Sequence, residues 1–310
     1  MTRNVIVITG PTATGKTALG VHLSRRIGGE VVSADSMQVY KFMDIGTAKP
    51  TSGEMAEIRH HMLNVVHPSE GYSVSRYVCD AEVCIDDIIG RGHIPIIVGG
   101  TGLYIDSLIA GRVFSDRGDA EVRAALEAEY DDLGGKDMLL RLREFDPDSA
   151  ARLHPNDKKR IVRAFEVHRV TGKSISQHDL ETKLLPPKYA ARKIALTFSD
   201  RDVLYGRINT RVDAMVKAGL YDEVCALLSM GISPESTAMQ AIGYKEMIGA
   251  AAGRYSRDEA IDKIKTESRR YAKRQLTWLR RDTAATWITW EKEPSHEFVH
   301  FDKIFSTGEL

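Results

Sequence analysis

The stretch VIVITGPTATGKTALG, residues 5–20, passes from a β-branched run through a glycine-framed loop into a segment with helical apolar spacing. Gly10, Gly15, Lys16 and Thr17 satisfy G-x-x-x-x-G-K-[ST], and Pro11, Thr12, Ala13 and Thr14 complete the loop. In such a loop backbone N–H groups cradle phosphates, the lysine neutralises them and the hydroxyl ligates Mg²⁺. Four specified positions recur by chance in on the order of one chain in a hundred. The context is more selective: Val5 to Ile8 suits a buried parallel strand, and Ala18, Leu19, Leu23 and Ile27 follow at helical spacing. The helix N-terminus near Gly15 adds its own positive field.

Working outward, GGEVVSADSMQVY reads as turn, strand and polar loop. SVSRYVCDAEVCIDDIIGRG carries helical apolar spacing, IPIIVGG is a third strand, and TGLYIDSLIAG opens another helix. Strand and helix therefore alternate over the first 110 residues or so, as a parallel sheet requires. Between Arg112 and Pro187 the strand signals give way to charged helical stretches such as AEVRAALEAEYDDL and KKRIVRAFEVHRVTG, and ARKIALTF restores a strand. Helices dominate again from Arg201 to Arg281, and ATWITW suggests a late strand. The expected fold is α/β, a P-loop NTPase-like parallel sheet flanked by helices. Residues 1–111 and 188–310 form its core, and residues 112–187 a helical insertion.

Lysine plus arginine equals aspartate plus glutamate at 43 each, so net charge alone points to no nucleic-acid partner and local clusters must carry that argument. Three cysteines, Cys79, Cys84 and Cys225, give neither an even disulfide framework nor paired C-x-x-C units. The opening residues enter a strand without a signal-peptide pattern, and no apolar run reaches membrane-spanning length. A cytoplasmic protein without membrane association is expected, and a monomer.

Asp35 follows the strand Val31-Val32-Ser33, which in an open α/β sheet delivers its carboxylate to the edge that carries the phosphate loop. It reads as a general base or metal ligand, or as a turn-capping aspartate. Ser36 and Gln38 add groups able to read base edges. The third strand ends in VGGTGLY with no aspartate, where P-loop kinases and NTPases usually place a second Mg²⁺ ligand, and this counts against ATP hydrolysis. Thr101 stands there instead, as a helix cap or a phosphate ligand. In ESRRYAKRQLTWLRR, Arg269, Arg270, Lys273, Arg274, Arg280 and Arg281 fall within an arc of about 140° at helical spacing. That face is either solvated or made for phosphates, and Tyr271 and Trp278 stack on bases or pack in the core. Lys158, Lys159, Arg160 and Arg163 form a second basic cluster, Arg207 and Arg211 stand one helical turn apart, and His60-His61 reads as a pair of loop histidines.

GPTATGKT, ADSMQVY, DIGTAKP, VGGTGLY, NDKKRIVRAFE, INTRVDAMVKAGL, QAIGYKE and AKRQLTWLR together closely resemble the tRNA dimethylallyltransferases in their bacterial form, in the family's order and over nearly the whole chain. Thr14, where the family commonly has serine, keeps the hydroxyl. The resemblance implies that the loop holds the pyrophosphate of dimethylallyl diphosphate. The dimethylallyl group would pass to N6 of the adenosine immediately 3′ of the anticodon in tRNA. On this mapping Asp35 is the general base, and Lys16, Thr17, Thr101 and Arg211 handle the diphosphate, with Mg²⁺ as cofactor on Thr17. The tRNA anticodon stem-loop would meet Asp35, Ser36, Met37, Gln38, Thr101 and Arg123; Lys159, Arg160, Ile161, Val162 and Arg163; Gln240, Ala241, Ile242, Gly243, Tyr244 and Lys245; and Lys273, Arg274 and Gln275.

Two rival activities fit part of the pattern. A small-molecule P-loop kinase leaves the basic helix without a task, and an adenylate prenyltransferase acting on a free nucleotide needs no RNA-binding surface. The loop pattern by itself also reads as ATP-binding.

Overall fold

The computed structural model describes residues 3–55, 57–112 and 119–294. Residues 113–118 of the expected insertion and 295–310 of the expected core lie outside the described residues. The chain forms two compact units, residues 1–109 with 188–310, and residues 110–187.

The first unit is built on six strands, β1 (Arg3–Thr9), β2 (Gly29–Ser33), β3 (His60–His61), β4 (Ile94–Gly99), β5 (Tyr189–Phe198) and β6 (Thr286–Trp290). They form one sheet in the order β3-β2-β4-β1-β5-β6, and every pair is parallel. The apolar runs read from the sequence are these strands. Ile6 and Ile8 of β1 pair with Ile96 and Val98 of β4, and Ile8 faces Ile194 of β5. On one face they join Leu19, Leu23 and Val31 in the core. Each fully buried aliphatic side chain contributes about 1.5–3 kcal/mol over an exposed one.

Parallel pairing demands crossovers, and α1 (Lys16–Ile27), α3 (Val74–Gly90) and α4 (Gly102–Ala110) supply them, with the one-turn α2 (Ser52–Met55) between β2 and β3. α1 packs on β4 at Gly20, where a Cβ would meet Val98 Cγ2 at 2.7 Å. The later helices α10 (Arg201–Lys217), α11 (Leu220–Ser229), α12 (Tyr244–Ala251) and α13 (Arg257–Leu279) complete this unit. Among the described residues no helix is long and apolar enough to cross a membrane.

The second unit is helical throughout its described residues: α5 (Ala120–Leu133), α6 (Gly135–Phe145), α7 (Pro147–Arg152), α8 (Lys158–Thr171) and α9 (Ile175–Leu184). Leu126, Met138, Leu142, Ile161, Val162 and Phe165 form its core.

Two local readings change. His60 and His61 are not loop residues but a two-residue edge strand, paired to Val31 and Val32, with His61 Nε2 2.7 Å from Glu30. A strand so short has no hydropathy period to read. The basic helix starts twelve residues before Arg269, behind a Ser256/Glu259 capping box, and ends at Leu279. Arg280 is therefore its C-cap and Arg281 lies beyond it, so the helical arc ends at Arg274.

Candidate functional site

Strand order places three loops side by side at the carboxyl edge: residues after β2, after β4 and after β1. They carry Asp35, Thr101 and the phosphate loop, in that sequence along the edge. Thr101 therefore stands between the other two. The close approach of its loop to the β2 loop requires Gly99, because a Cβ there would meet Ala34 O at 2.2 Å. Thr101 N–H donates to Ala34 O at 3.2 Å, and Ser36 N–H donates to Thr101 Oγ1 at 3.2 Å.

The phosphate loop runs from Gly10 to Gly15, and Gly15 caps α1 at φ 85°, a conformation that a side chain would strain. Its carbonyls are engaged by protein donors. Pro11 O accepts from Thr14 Oγ1 at 2.9 Å and from Lys16 Nζ at 2.8 Å. Ala13 O accepts from Arg207 Nε at 3.1 Å, and Thr14 O accepts from Trp290 Nε1 at 3.1 Å. Thr14 is fully buried and its hydroxyl makes the one bond a serine also supplies, so the substitution is chemically neutral here. Thr17 sits in the first turn of α1 beside Lys16.

Lys16, Arg211 and Asp35 interact electrostatically in this site. Burial, and then the Arg211 guanidinium, brings Lys16 down to about 7, while the Asp35 carboxylate pulls the other way. Burial likewise lowers Arg211, and Asp35 and then Glu54 oppose it. Two cations and one carboxylate thus share one partly desolvated space. Asp35 Oδ1 accepts from Met37 N–H at 2.9 Å and from Gln38 N–H at 3.4 Å. The aspartate does cap its turn, and it does so with one oxygen, which leaves Oδ2 outside the turn.

α13 crosses these loops. Gln275, 7% exposed, accepts from Thr12 N–H at 3.0 Å through Oε1 and donates to Gly100 O at 3.0 Å through Nε2. One turn earlier on the same helix, Tyr271 is half-buried, and burial, and then the Asp35 charge, raises its phenol to about 12. Sequence reading offered Tyr271 as a base-stacking or core residue, and the resemblance placed Gln275 against tRNA without sign of its two backbone bonds.

Several residues that the resemblance placed against tRNA have side chains committed elsewhere. Gln38 accepts from Ser33 Oγ at 3.0 Å and donates to Thr47 O and Ala48 O, each at 3.3 Å. Gly243 is the N-cap of α12, and Ala241 is buried beside it. Tyr244 is fully buried, donates to Glu223 at 2.6 Å and abuts Gly46, where a Cβ would lie 2.4 Å from its ring. Glu223 also accepts from the backbone N–H groups of Asp44, Ile45 and Gly46. QAIGYKE and DIGTAKP are thus two halves of one packed junction. Gln240 is exposed and donates to Pro234 O, and Ile242 and Lys245 are half-buried.

Within the helical unit, Ile161 and Val162 are core residues at 0% and 2% exposure. Arg123 and Arg163 both bond the fully buried Glu166. Lys159 and Arg160 face solvent, as do Lys273 and Arg274 on α13. Arg269 bonds Asn209, and Arg270 pairs with Glu267.

The sequence matches the family described as IPP transferase over residues 38–282. It is 47% identical over 282 residues to a tRNA dimethylallyltransferase of Thermoanaerobacter pseudethanolicus, covering 90% of each chain. Among solved structures, it matches the full-length tRNA isopentenylpyrophosphate transferase of Bacillus halodurans at TM-score 0.72 and 42% identity, over 98% of this chain and 95% of that one. A eukaryotic dimethylallyltransferase captured acting on tRNA matches at TM-score 0.81 and 31% identity, over 98% of this chain and 77% of that one. The chain belongs to the IPP transferase family, that of the tRNA dimethylallyltransferases.

Proposed function

We propose that the protein transfers the dimethylallyl group of dimethylallyl diphosphate to N6 of the adenosine immediately 3′ of the anticodon in tRNA, releasing diphosphate. The observation that carries this reading is that Lys16 of the phosphate loop's helix and Asp35, brought to one sheet edge by strand order, both couple electrostatically to the buried Arg211 of α10. Family membership supplies the group transferred and the acceptor.

In the transfer, the bond from the prenyl C1 to the diphosphate oxygen breaks, and a bond from C1 to N6 forms. The N6 proton passes to Asp35. Adenine N6 is a weak nucleophile because its lone pair is delocalised into the ring, so removal of its proton as the bond forms lowers the barrier. Charge grows on the departing diphosphate, and Lys16, Arg211 and the Thr101 hydroxyl are the groups assigned here to stabilise it. Oδ2 is the Asp35 oxygen assigned to the proton, since Oδ1 serves the turn.

Mg²⁺ suits this site in its usual manner, with one or two protein oxygens and the rest from phosphate and water. Among the described residues there is no group of three or more His, Cys, Asp or Glu that could hold a metal ion. The Thr17 hydroxyl would be the hard oxygen ligand of that sparse kind, and the ion would neutralise charge on the diphosphate. For the anticodon stem-loop, the solvent-facing Lys159, Arg160, Lys273 and Arg274 are the phosphate contacts assigned here.

The reading is tested by measuring prenyl transfer to an anticodon stem-loop and to AMP in parallel, with ATP hydrolysis assayed beside them. Transfer to the stem-loop alone is expected. Transfer to AMP alone makes the protein an adenylate prenyltransferase, and hydrolysis or phosphoryl transfer from ATP without prenylation makes it a kinase or NTPase.

A further inference from the structure

Ala13 stands in the middle of the phosphate loop at φ 67°, in the left-handed region, and Gly15 follows at φ 85° with Thr14 between them. An L side chain resists that region, whereas glycine adopts it freely. Alternation of hand along a loop turns its N–H groups to one concave side, where an anion sits, and leaves carbonyls outside. Two of those carbonyls are held by side chains from far along the chain. Arg207 Nε–H donates to Ala13 O at 3.1 Å, and Trp290 Nε1–H donates to Thr14 O at 3.1 Å. Ala13 and Trp290 also pack together on the cluster of Phe198, Leu204, Ile208 and Ala272, so the methyl that strains the loop is at the same time its anchor.

We propose that Arg207 is a positioning residue for the phosphate loop: its Nε–H bond to Ala13 O holds Ala13 in the left-handed conformation that aims the loop's N–H groups at the diphosphate, and its guanidinium makes no contact with the anion itself. The inference rests on the functional reading above, in which this loop holds diphosphate. The remainder of the guanidinium is committed elsewhere. Nη1 pairs with Glu293, which offsets the charge, and Cζ lies 5.5 Å from the centroid of the Phe198 ring. Arg211, one turn further along α10, couples instead to Lys16 and Asp35. Two arginines at i,i+4 spacing thereby divide the work, one assigned to the charge of the anion and the other to the backbone around it.

The test is a double-mutant cycle of Arg207→Met, Ala13→Gly and the double variant, read by calorimetry as equilibrium binding of inorganic diphosphate, with stem-loop binding measured on each variant. Methionine keeps an apolar stem and loses the donor. Arg207→Met is expected to weaken diphosphate binding about 5- to 30-fold, the scale on which an L residue resists the left-handed region, with stem-loop affinity within about 3-fold of the parental protein. In the Ala13→Gly background the same change is expected to cost less than about 3-fold, whatever Ala13→Gly costs by itself, because glycine needs no holding. Arg207→Lys keeps the charge but puts a methylene where Nε stood, so it is expected to lose as much as Arg207→Met, and it carries the cycle if Arg207→Met does not fold. Parental diphosphate affinity in either Arg207 variant overturns the proposal. So does a loss of equal size in both backgrounds, which direct contact with the anion or general damage to the fold would give. A parental protein that does not bind diphosphate overturns the functional reading and this proposal with it.

Discussion

Gln275 on α13 accepts the backbone N–H of Thr12 in the phosphate loop at 3.0 Å, across 263 residues of sequence. Its other end holds Gly100 O at the close of β4. A buried amide that pairs two loops is a structural clamp, and removing it leaves a donor and an acceptor without partners at about 1–3 kcal/mol each. Gln275→Ala is therefore expected to lower thermal stability and to weaken diphosphate binding, while stem-loop affinity stays within about 3-fold. A selective loss of stem-loop binding would instead put Gln275 on the RNA. Calorimetric unfolding and the two affinities, measured on one variant, decide between these outcomes.

Lys16 is held against Pro11 O at the mouth of α1, where the proposed mechanism has charge grow on the leaving group. Lys16→Ala is expected to reduce single-turnover transfer at least ~100-fold, the scale of losing a main electrostatic stabiliser. A folded variant that transfers near the parental rate would remove Lys16 from the chemistry.

The same lysine gives the site a pH signature. With Lys16 at about 7 in the free protein, the ammonium is protonated below that pH and increasingly neutral above it. An anionic ligand favours the charged form, so binding at about pH 8 should draw in up to about one proton. The logarithm of diphosphate affinity should then fall toward a slope of about −1 per pH unit above 7. Titration calorimetry of inorganic diphosphate in buffers of different ionisation enthalpy measures the uptake directly. Lys16→Met should abolish that share of it, and unchanged uptake in the variant would assign the proton to another group.

On the basic helix, Lys273 and Arg274 are exposed, whereas Arg269 and Arg270 have partners in Asn209 and Glu267. Replacing Lys273 and Arg274 by glutamine is expected to weaken stem-loop binding and reduce its salt slope by up to about one log-log unit per lost phosphate contact. Diphosphate affinity should be retained. An unchanged slope would mark this face as simply solvated.

The sheet was legible because buried parallel strands are written as β-branched runs, as in Val5 to Ile8 and Ile94 to Val98, and strand ends then locate the loops. Asp35, Thr101 and the phosphate loop could be grouped on one edge from chain order alone. Edge strand β3 could not be read, since two residues have no period. The tasks of Gln275 and Glu223 were equally silent. Each acts on backbone or side chains far away in sequence, and a glutamine within a run of arginines carries no sign of the carbonyl it will meet. The partners of cations were silent as well: Arg123, which the resemblance placed against tRNA, and Arg163 of the basic cluster both bond the buried Glu166, because a charge in a helical core requires partners.

In the proposed mechanism the chemical step depends on Asp35, and its geometry makes a substitution unusually informative. That mechanism divides two roles between its oxygens: Oδ1 holds the Met37 and Gln38 N–H groups, and Oδ2 is the oxygen assigned to the N6 proton. Asp35→Asn keeps a carbonyl oxygen for the turn and loses the basicity, so the cap should survive while the base does not. The expected result is a thermal midpoint close to the parental one, retained stem-loop and diphosphate binding, and single-turnover transfer lower by roughly 10²- to 10⁴-fold, the usual worth of general-base catalysis. Asp35→Ala separates the roles from the other side. Losing the cap as well should cost an additional 0.5–2 kcal/mol or so of stability, the range for removal of a capping side chain. If Asp35→Asn binds both ligands and transfers at close to the parental rate, the proton leaves N6 by another route, and Asp35 is a turn residue whose carboxylate only sets the field around Lys16 and Arg211.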